Sequence, residues 1–316
     1  MSDADLPSLA AFAVVALIGG YVVLDSFDLG AGMLLLNETD RTGRDAVVRS
    51  TAATRYSSEW WLIEAALMMY FAFPFPFRML AEGLAAPIAV MLAALAARGV
   101  AAFLRRSAGD KAERRWSAVF AIASFVATAA QGFCLGGYLR GFSVAHGRFI
   151  GGWLDWATPF SVLIAAALTI GYALLGSAWV AFQADGALAD QARKRMSSLA
   201  IAAAIAMAPL PIAAALGLAG AFLSPLMRKP HIGFFGSLVA IVAAYGGLTA
   251  SVWPYVVPYG FTAAQSAADI HELRLSLFWV SLGAPVLFMF SVLSYDAWRV
   301  HLGRSRLLPF GISLRY

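Results

Sequence analysis

Apolar residues run in long stretches, broken by short polar segments rich in arginine. A helix needs about 20 mostly apolar residues to cross the hydrocarbon core of a bilayer. On that basis the pattern predicts eight membrane helices, at 8–36, 59–81, 84–105, 116–141, 159–183, 197–224, 231–253 and 274–299. The runs are continuous and do not alternate, so they predict an all-α bundle and argue against a β-barrel. Linkers stay under about 25 residues, which leaves no room for a soluble domain. The chain reads as one integral membrane domain over 1–316, with the helices arranged as two four-helix bundles. The segment 253–273, opening WPYVVPYGF, is less apolar and bounded by proline, and reads as a loop carrying an interfacial aromatic cluster.

Charge adds orientation. The linkers 37–58, 105–115 and 184–196 fall on one side and hold twelve basic residues: Arg41, Arg44, Arg49, Arg55, Arg105, Arg106, Lys111, Arg114, Arg115, Arg193, Lys194 and Arg195. The opposite loops hold Arg78, Arg140, Arg148, Arg228 and Lys229. By the positive-inside rule the first group is cytoplasmic and both termini lie outside. The tail arginines Arg304, Arg306 and Arg315 pull mildly the other way. The first span lacks a positive n-region and reads as a retained helix.

Composition fits the same class: 61% of the 316 residues are hydrophobic and 13% charged, against roughly 25% charged in soluble domains. The net charge of +5 therefore reflects topology and gives no sign of nucleic acid. The single cysteine, Cys134, reads as a packing residue. None of the four histidines, His146, His231, His271 and His301, lies well inside a predicted span. Membrane haem is usually held by His or Met, and the ten methionines read as packing residues. Nucleotide, zinc and dithiol motifs are missing. The chain is thus expected to bind no cofactor alone.

Polar residues inside spans are the place to look for function, because a charge at mid-bilayer costs about 2.5–3.5 kcal/mol even on mild scales. Asp25 and Asp28 in GYVVLDSFDLGAG stand three residues apart and share a helix face. They read as a proton relay or ion-pair site, or as a capping or packing pair close to the interface. Ser58 and Glu59 open the second span, where capping and the helix dipole account for them. Glu64 sits a turn deeper and needs a partner or a proton. Arg98 either snorkels to the cytoplasmic side or neutralises one of these acids. Gln131, in QGFCLGG, is placed to hydrogen-bond between helices, with Gly132, Gly136 and Gly137 allowing close approach. Pro209 and Pro211 should break the sixth span. These intramembrane charges also suit a proton-coupled secondary transporter, and a purely structural scaffold is a third reading.

Beyond these features the chain resembles subunit II of the cytochrome bd quinol oxidases, including the cyanide-insensitive branch. The resemblance runs from Leu9 to about Arg299. It rests on GYVVLDSFDLGAGML, WLIEAALMMYFAFP, RGVAAFLRR, QGFCLGG, WATPFSVLIAAALTIGYALLGSAW followed by QADG and ARKR, and WPYVVP. It implies a haem-free accessory subunit of eight helices, paired with a larger subunit I that carries the b and d-type haems and the quinol site. It also implies a small single-helix subunit and a bound quinone or lipid as further companions. The family reduces O₂ to water with electrons from quinol and takes protons from the cytoplasm, which would give Asp25 and Asp28 a place on the proton path.

Two departures stand out. The family's Trp-Asp-Gly-Asn-Glu/Gln-like run aligns with Arg55-Tyr56-Ser57-Ser58-Glu59, so its acid falls on Tyr56. A second family acid falls on Phe103, and Glu64 appears where the family is uncharged. The proton path expected from the resemblance thus comprises Asp25, Asp28, Glu59 and Glu64, with Arg98 as charge partner. Glu64 would replace the lost acid, or else the complex would use another electron donor or acceptor.

Overall fold

A computed structural model describes residues 3–145, 148–184, 186–206, 218–219, 221–223 and 229–301, with the side chains at 53–56, 145, 148, 187, 206 and 295–301 excepted. The elements are α1 (Leu6–Leu34), α2 (Arg41–Ser50), α3 (Ala52–Ala72), α4 (Pro74–Gly83), α5 (Ala85–Leu104), α6 (Asp110–Arg140), β1 (Val144–Ala145), β2 (Arg148–Phe149), α7 (Pro159–Gln183), α8 (Gly186–Ala206), α9 (Pro230–Val252), β3 (Tyr255–Val257), β4 (Phe261–Thr262), α10 (Ala263–Ser266) and α11 (Ile270–His301). The strands form two small antiparallel hairpins in the loops. The chain is an all-α, multi-pass membrane protein. Among the described residues, six helices are long and apolar enough to cross a membrane: α1, α5, α6, α7, α9 and α11.

Helix ends follow local chemistry. Pro159 opens α7, and Thr158 caps it by accepting from the backbone N–H of Ser161 at 3.1 Å. Gly141, at φ +81°, turns the chain out of α6, a conformation that glycine adopts without penalty. Asp40 caps α2 through the N–H of Gly43.

Three sequence expectations change. The predicted span 59–81 is two helices, broken at Phe73, because Pro74 has no N–H to continue the ladder and starts α4 instead. Since α3 starts at Ala52, Ser58 and Glu59 are mid-helix residues and not caps. The linker 37–58 contains the amphipathic helix α2. Of the span 197–224, residues 197–206 form the end of α8 and 218–219 and 221–223 are helical, while Pro209 and Pro211 lie outside the described residues.

Helix α1 is the hub. It packs against α3 and α11 on one side and against α6 and α7 on the other. Helix α5 lies along α6, while α8 and α9 pack on α7. Two apolar cores result. One joins the later half of α1, including Phe27 and Leu29, to α5, α6, α7, α8 and α9, with Phe27 and Trp179 stacked at a centroid distance of 4.6 Å. Such a ring pair is worth about 0.5–1.5 kcal/mol beyond its burial. The other joins the first half of α1, from Leu6 to Leu17, to α3 and α11.

The α1–α7 crossing depends on a glycine from each helix. A Cβ on Gly30 would overlap the carbonyl oxygen of Tyr172, and one on Gly176 would overlap the backbone of Gly30 and Ala31. Without hydrophobic driving force between helices in lipid, such close backbone approach is what holds them together. It also fixes the segment of α1 that carries the acids.

Candidate functional site

Asp25 and Asp28 lie on α1 where it meets α3, α5 and α6. Both are shut away from solvent, at 1% and 0% exposure. Their surroundings differ in charge. Arg98 of α5, itself 1% exposed, brings Nη2 to 2.5 Å from Oδ1 of Asp28. The same nitrogen donates to the main-chain carbonyl of Asp28 at 3.2 Å. The side-chain contact is an ion pair by distance without hydrogen-bond alignment, and Asp28 Oδ2 and Arg98 Nε have no hydrogen-bond partner among the described residues. The guanidinium lies over the ring of Phe120, 4.7 Å from its centroid, a cation–π contact that partly replaces lost hydration. Arg98 therefore does not snorkel out; it is held inside against Asp28.

Asp25 is bonded by neutral groups. Gln131 of α6 donates through Nε2 to Asp25 Oδ2 at 2.8 Å and also to the Tyr21 hydroxyl at 2.5 Å. Ser58 of α3 donates to Asp25 Oδ1 at 3.4 Å. Tyr21 stands one helical turn before Asp25, and its hydroxyl accepts from the same Gln131 amide that donates to Asp25. Arg98, Asp28 and Tyr172 lie within electrostatic reach of Asp25, as Glu59 does of Arg98. The result is a buried cluster with one fixed ion pair and, beside it, a carboxyl surrounded by hydroxyl and amide groups.

Glu64 is elsewhere. It is half-buried on α3, against Gly283 of α11, and no hydrogen bond or ion pair joins it to the Asp25 cluster among the described residues. The Tyr56 side chain lies outside the described residues, and Phe103, at the other lost acid, is 73% exposed at the end of α5. Cys134 is half-buried. Among the described residues no three His, Cys, Asp or Glu side chains come close enough to hold a metal ion.

A second buried charge cluster was hidden in the sequence. Glu113, in the first turn of α6 and 1% exposed, is gripped by Arg44 of α2, with Nη2 at 2.6 Å and Nε at 3.2 Å. It also pairs with Arg105 at the end of α5 and accepts from Ser117 Oγ at 2.6 Å. Arg105 reaches Asp45 of α2 as well, at 2.7 Å. Bonding to Glu113 raises the Arg44 pKa above its already high ordinary value. In sequence these arginines look like solvent-facing topology signals, yet each is 6% exposed. The cluster ties α2, the end of α5 and α6 into one cap at the Arg-rich end, two turns beyond Arg98 along α5. The signal that could have found it is Glu113 itself, an acid four residues before Ser117 in a basic linker.

Comparison with known proteins brings in a family. The model of the family described as cytochrome bd terminal oxidase subunit II matches residues 6–298. Among solved structures, the bd oxidase of Geobacillus thermodenitrificans contains a chain of similar fold. The TM-score is 0.68 at 16% identity, covering 94% of this chain and 99% of that one. No curated protein matches.

Proposed function

This chain belongs to the cytochrome bd terminal oxidase subunit II family, and from that premise we propose that it is the haem-free accessory subunit of a bd-type quinol oxidase that delivers protons to a haem-bearing partner. The family is respiratory and membrane-bound, and its complex is an oxidoreductase built from several subunits. In this reading the partner holds the haems and the quinol site, and this chain carries no electron-transfer group. In this reading eight helices cross the membrane: the six apolar ones, α3, which packs along both α1 and α11, and the span that the sequence pattern predicts at 197–224. The Arg-rich end with α2 faces the cytoplasm, and both termini face outward.

The observation that carries proton delivery is the asymmetry of the acid pair. Asp28 is paired with Arg98 at 2.5 Å, whereas Asp25 is hydrogen-bonded only by the neutral groups of Gln131 and Ser58 and feels Arg98 from farther off. Asp28 and Arg98 then form a fixed, mutually compensated dipole. Asp25 is the group free to take up and release a proton, and the hydroxyls of Tyr21 and Ser58 are partners through which it can pass. In this reading Glu59 feeds it from the cytoplasm, supported by its electrostatic reach of Arg98 and its position nearer the Arg-rich end of α3.

Purification tests the assignment. The tagged chain, extracted mildly from its own membranes, should bring with it a larger haem-bearing subunit and quinol-dependent oxygen consumption. A haem-free single chain from the same membranes, inactive with quinol, would contradict it.

A further inference from the structure

Beyond the Asp25 cluster, and not resting on it, a second acid lies deep in the membrane. Helix α3 runs antiparallel to α1, with the Trp61 ring packed on Gly20. Glu64, three residues on, is therefore level with about Leu17. That is roughly 17 Å from the start of a helix about 43 Å long, at 1.5 Å per residue. Few depths in a bilayer are less hospitable to a charge.

Glu64 points away from the α1 acids and into the seam between α3 and α11. Its Oε1 lies over Gly283, where any Cβ would overlap it, so the missing side chain at 283 makes the space for the carboxyl. Its Oε2 is shut from solvent and has no hydrogen-bond partner among the described residues. Further along the same seam, Trp61 Nε1 donates to Ser291 Oγ at 3.3 Å and anchors the two helices. The seam is rimmed by the exposed apolar side chains Ile63, Leu67, Leu282 and Val286.

The charged side chains and the histidine described on the surrounding elements are Glu59 on α3, Asp25 and Asp28 on α1, Arg78 and Glu82 on α4, His271, Glu272 and Arg274 on α11, and Arg41, Arg44, Asp45 and Arg49 on α2 at the start of α3. None forms an ion pair with Glu64, and Arg274 is committed to Asp3 at 2.6 Å. A carboxylate with a bare buried oxygen and no cation is disfavoured more strongly than the neutral acid is. We propose that Glu64 is a second proton-binding site in the membrane, its carboxyl seated on Gly283 at the α3–α11 seam and loaded independently of Asp25.

Infrared spectroscopy of the whole complex decides this. The difference between wild type and Glu64→Gln should contain the carbonyl band of a protonated carboxyl at neutral pH. That band should shift in Gly283→Ala, where the new methyl displaces the carboxyl, and should persist in Asp25→Asn. If Glu64→Gln does not assemble, Glu64→Asp keeps the acid one methylene shorter and should shift the band. Dicyclohexylcarbodiimide gives a chemical readout. The carboxyl O–H adds across one C=N bond, oxygen joining the carbon and the proton going to nitrogen. The acyl group then moves from oxygen to nitrogen, with nothing expelled. A mass-spectrometric adduct on Glu64, lost in Glu64→Gln, supports the proposal. A difference spectrum showing only ionised carboxylate overturns it and points to a cation supplied by another subunit. Loss of the band in Asp25→Asn overturns the independence of the two sites.

Discussion

Arg98→Met tests the charge logic of the site. Methionine keeps the volume and flexibility of the arginine stem but removes the cation. Asp28 would then stand at 0% exposure with no counter-charge, and its Oδ2 already lacks a partner. Removing one member of a buried ion pair costs about 3–5 kcal/mol, and loss of the Phe120 cation–π contact at 4.7 Å adds about 0.5–2 kcal/mol. At about 2–4 °C per kcal/mol for a large domain, the thermal midpoint of the solubilised complex should drop by roughly 10 °C. Unfolding from detergent is often irreversible, so all variants need one scan rate. The discriminating variant is the double, Asp28→Asn with Arg98→Met. With both charges gone the penalty of an orphaned charge disappears, and most of the lost stability should return. If the double variant instead falls by the sum of the two single effects, the residues are not coupled and the fixed-dipole reading of the site is wrong.

Three other outcomes follow from the packing. Glu113→Gln should destabilise the complex by about 3 kcal/mol, because it leaves Arg44 and Arg105 buried without their shared anion. Asp110→Asn, whose partner Arg41 is exposed, should change stability by less than about 1 kcal/mol in the same melting assay. Gly176→Leu should sharply lower the yield of folded chain in membranes, since the obstruction is the α1 backbone and cannot rotate away; Gly171→Leu, with open space at its Cβ, should be tolerated by comparison.

The sequence disclosed most where physics acts locally. Continuous apolar runs located α1, α5, α7 and α9 to within a few residues, because span length is set by the bilayer. The i, i+3 spacing put Asp25 and Asp28 on one face, and the cost of burying charge drew notice to Arg98 and Gln131 before any contact was known. Long-range pairing was hidden. Arg44 and Glu113 meet across 69 residues, and nothing local distinguishes a buried arginine from one facing the cytoplasm. Glu64 and Gly283 are a similar case, on helices whose adjacency no periodicity reveals. The break at Phe73 was readable from the prolines of PFPF, but the hydropathy of 59–81 outweighed it. The start of α3 at Ala52 was masked by the polar run RYSSE, which looks like a loop until Ser58 is seen to face Asp25.

The most direct measurement of the central claim is quinol-driven oxygen consumption by the assembled complex carrying Asp25→Asn. Asparagine keeps the shape and can still bond Ser58 and Gln131, but it cannot carry the proton. The account predicts unchanged haem content and complex yield, with turnover lowered by about tenfold or more, one power of ten being about 1.4 kcal/mol on the barrier. Turnover equal to wild type in a fully assembled Asp25→Asn complex would contradict it.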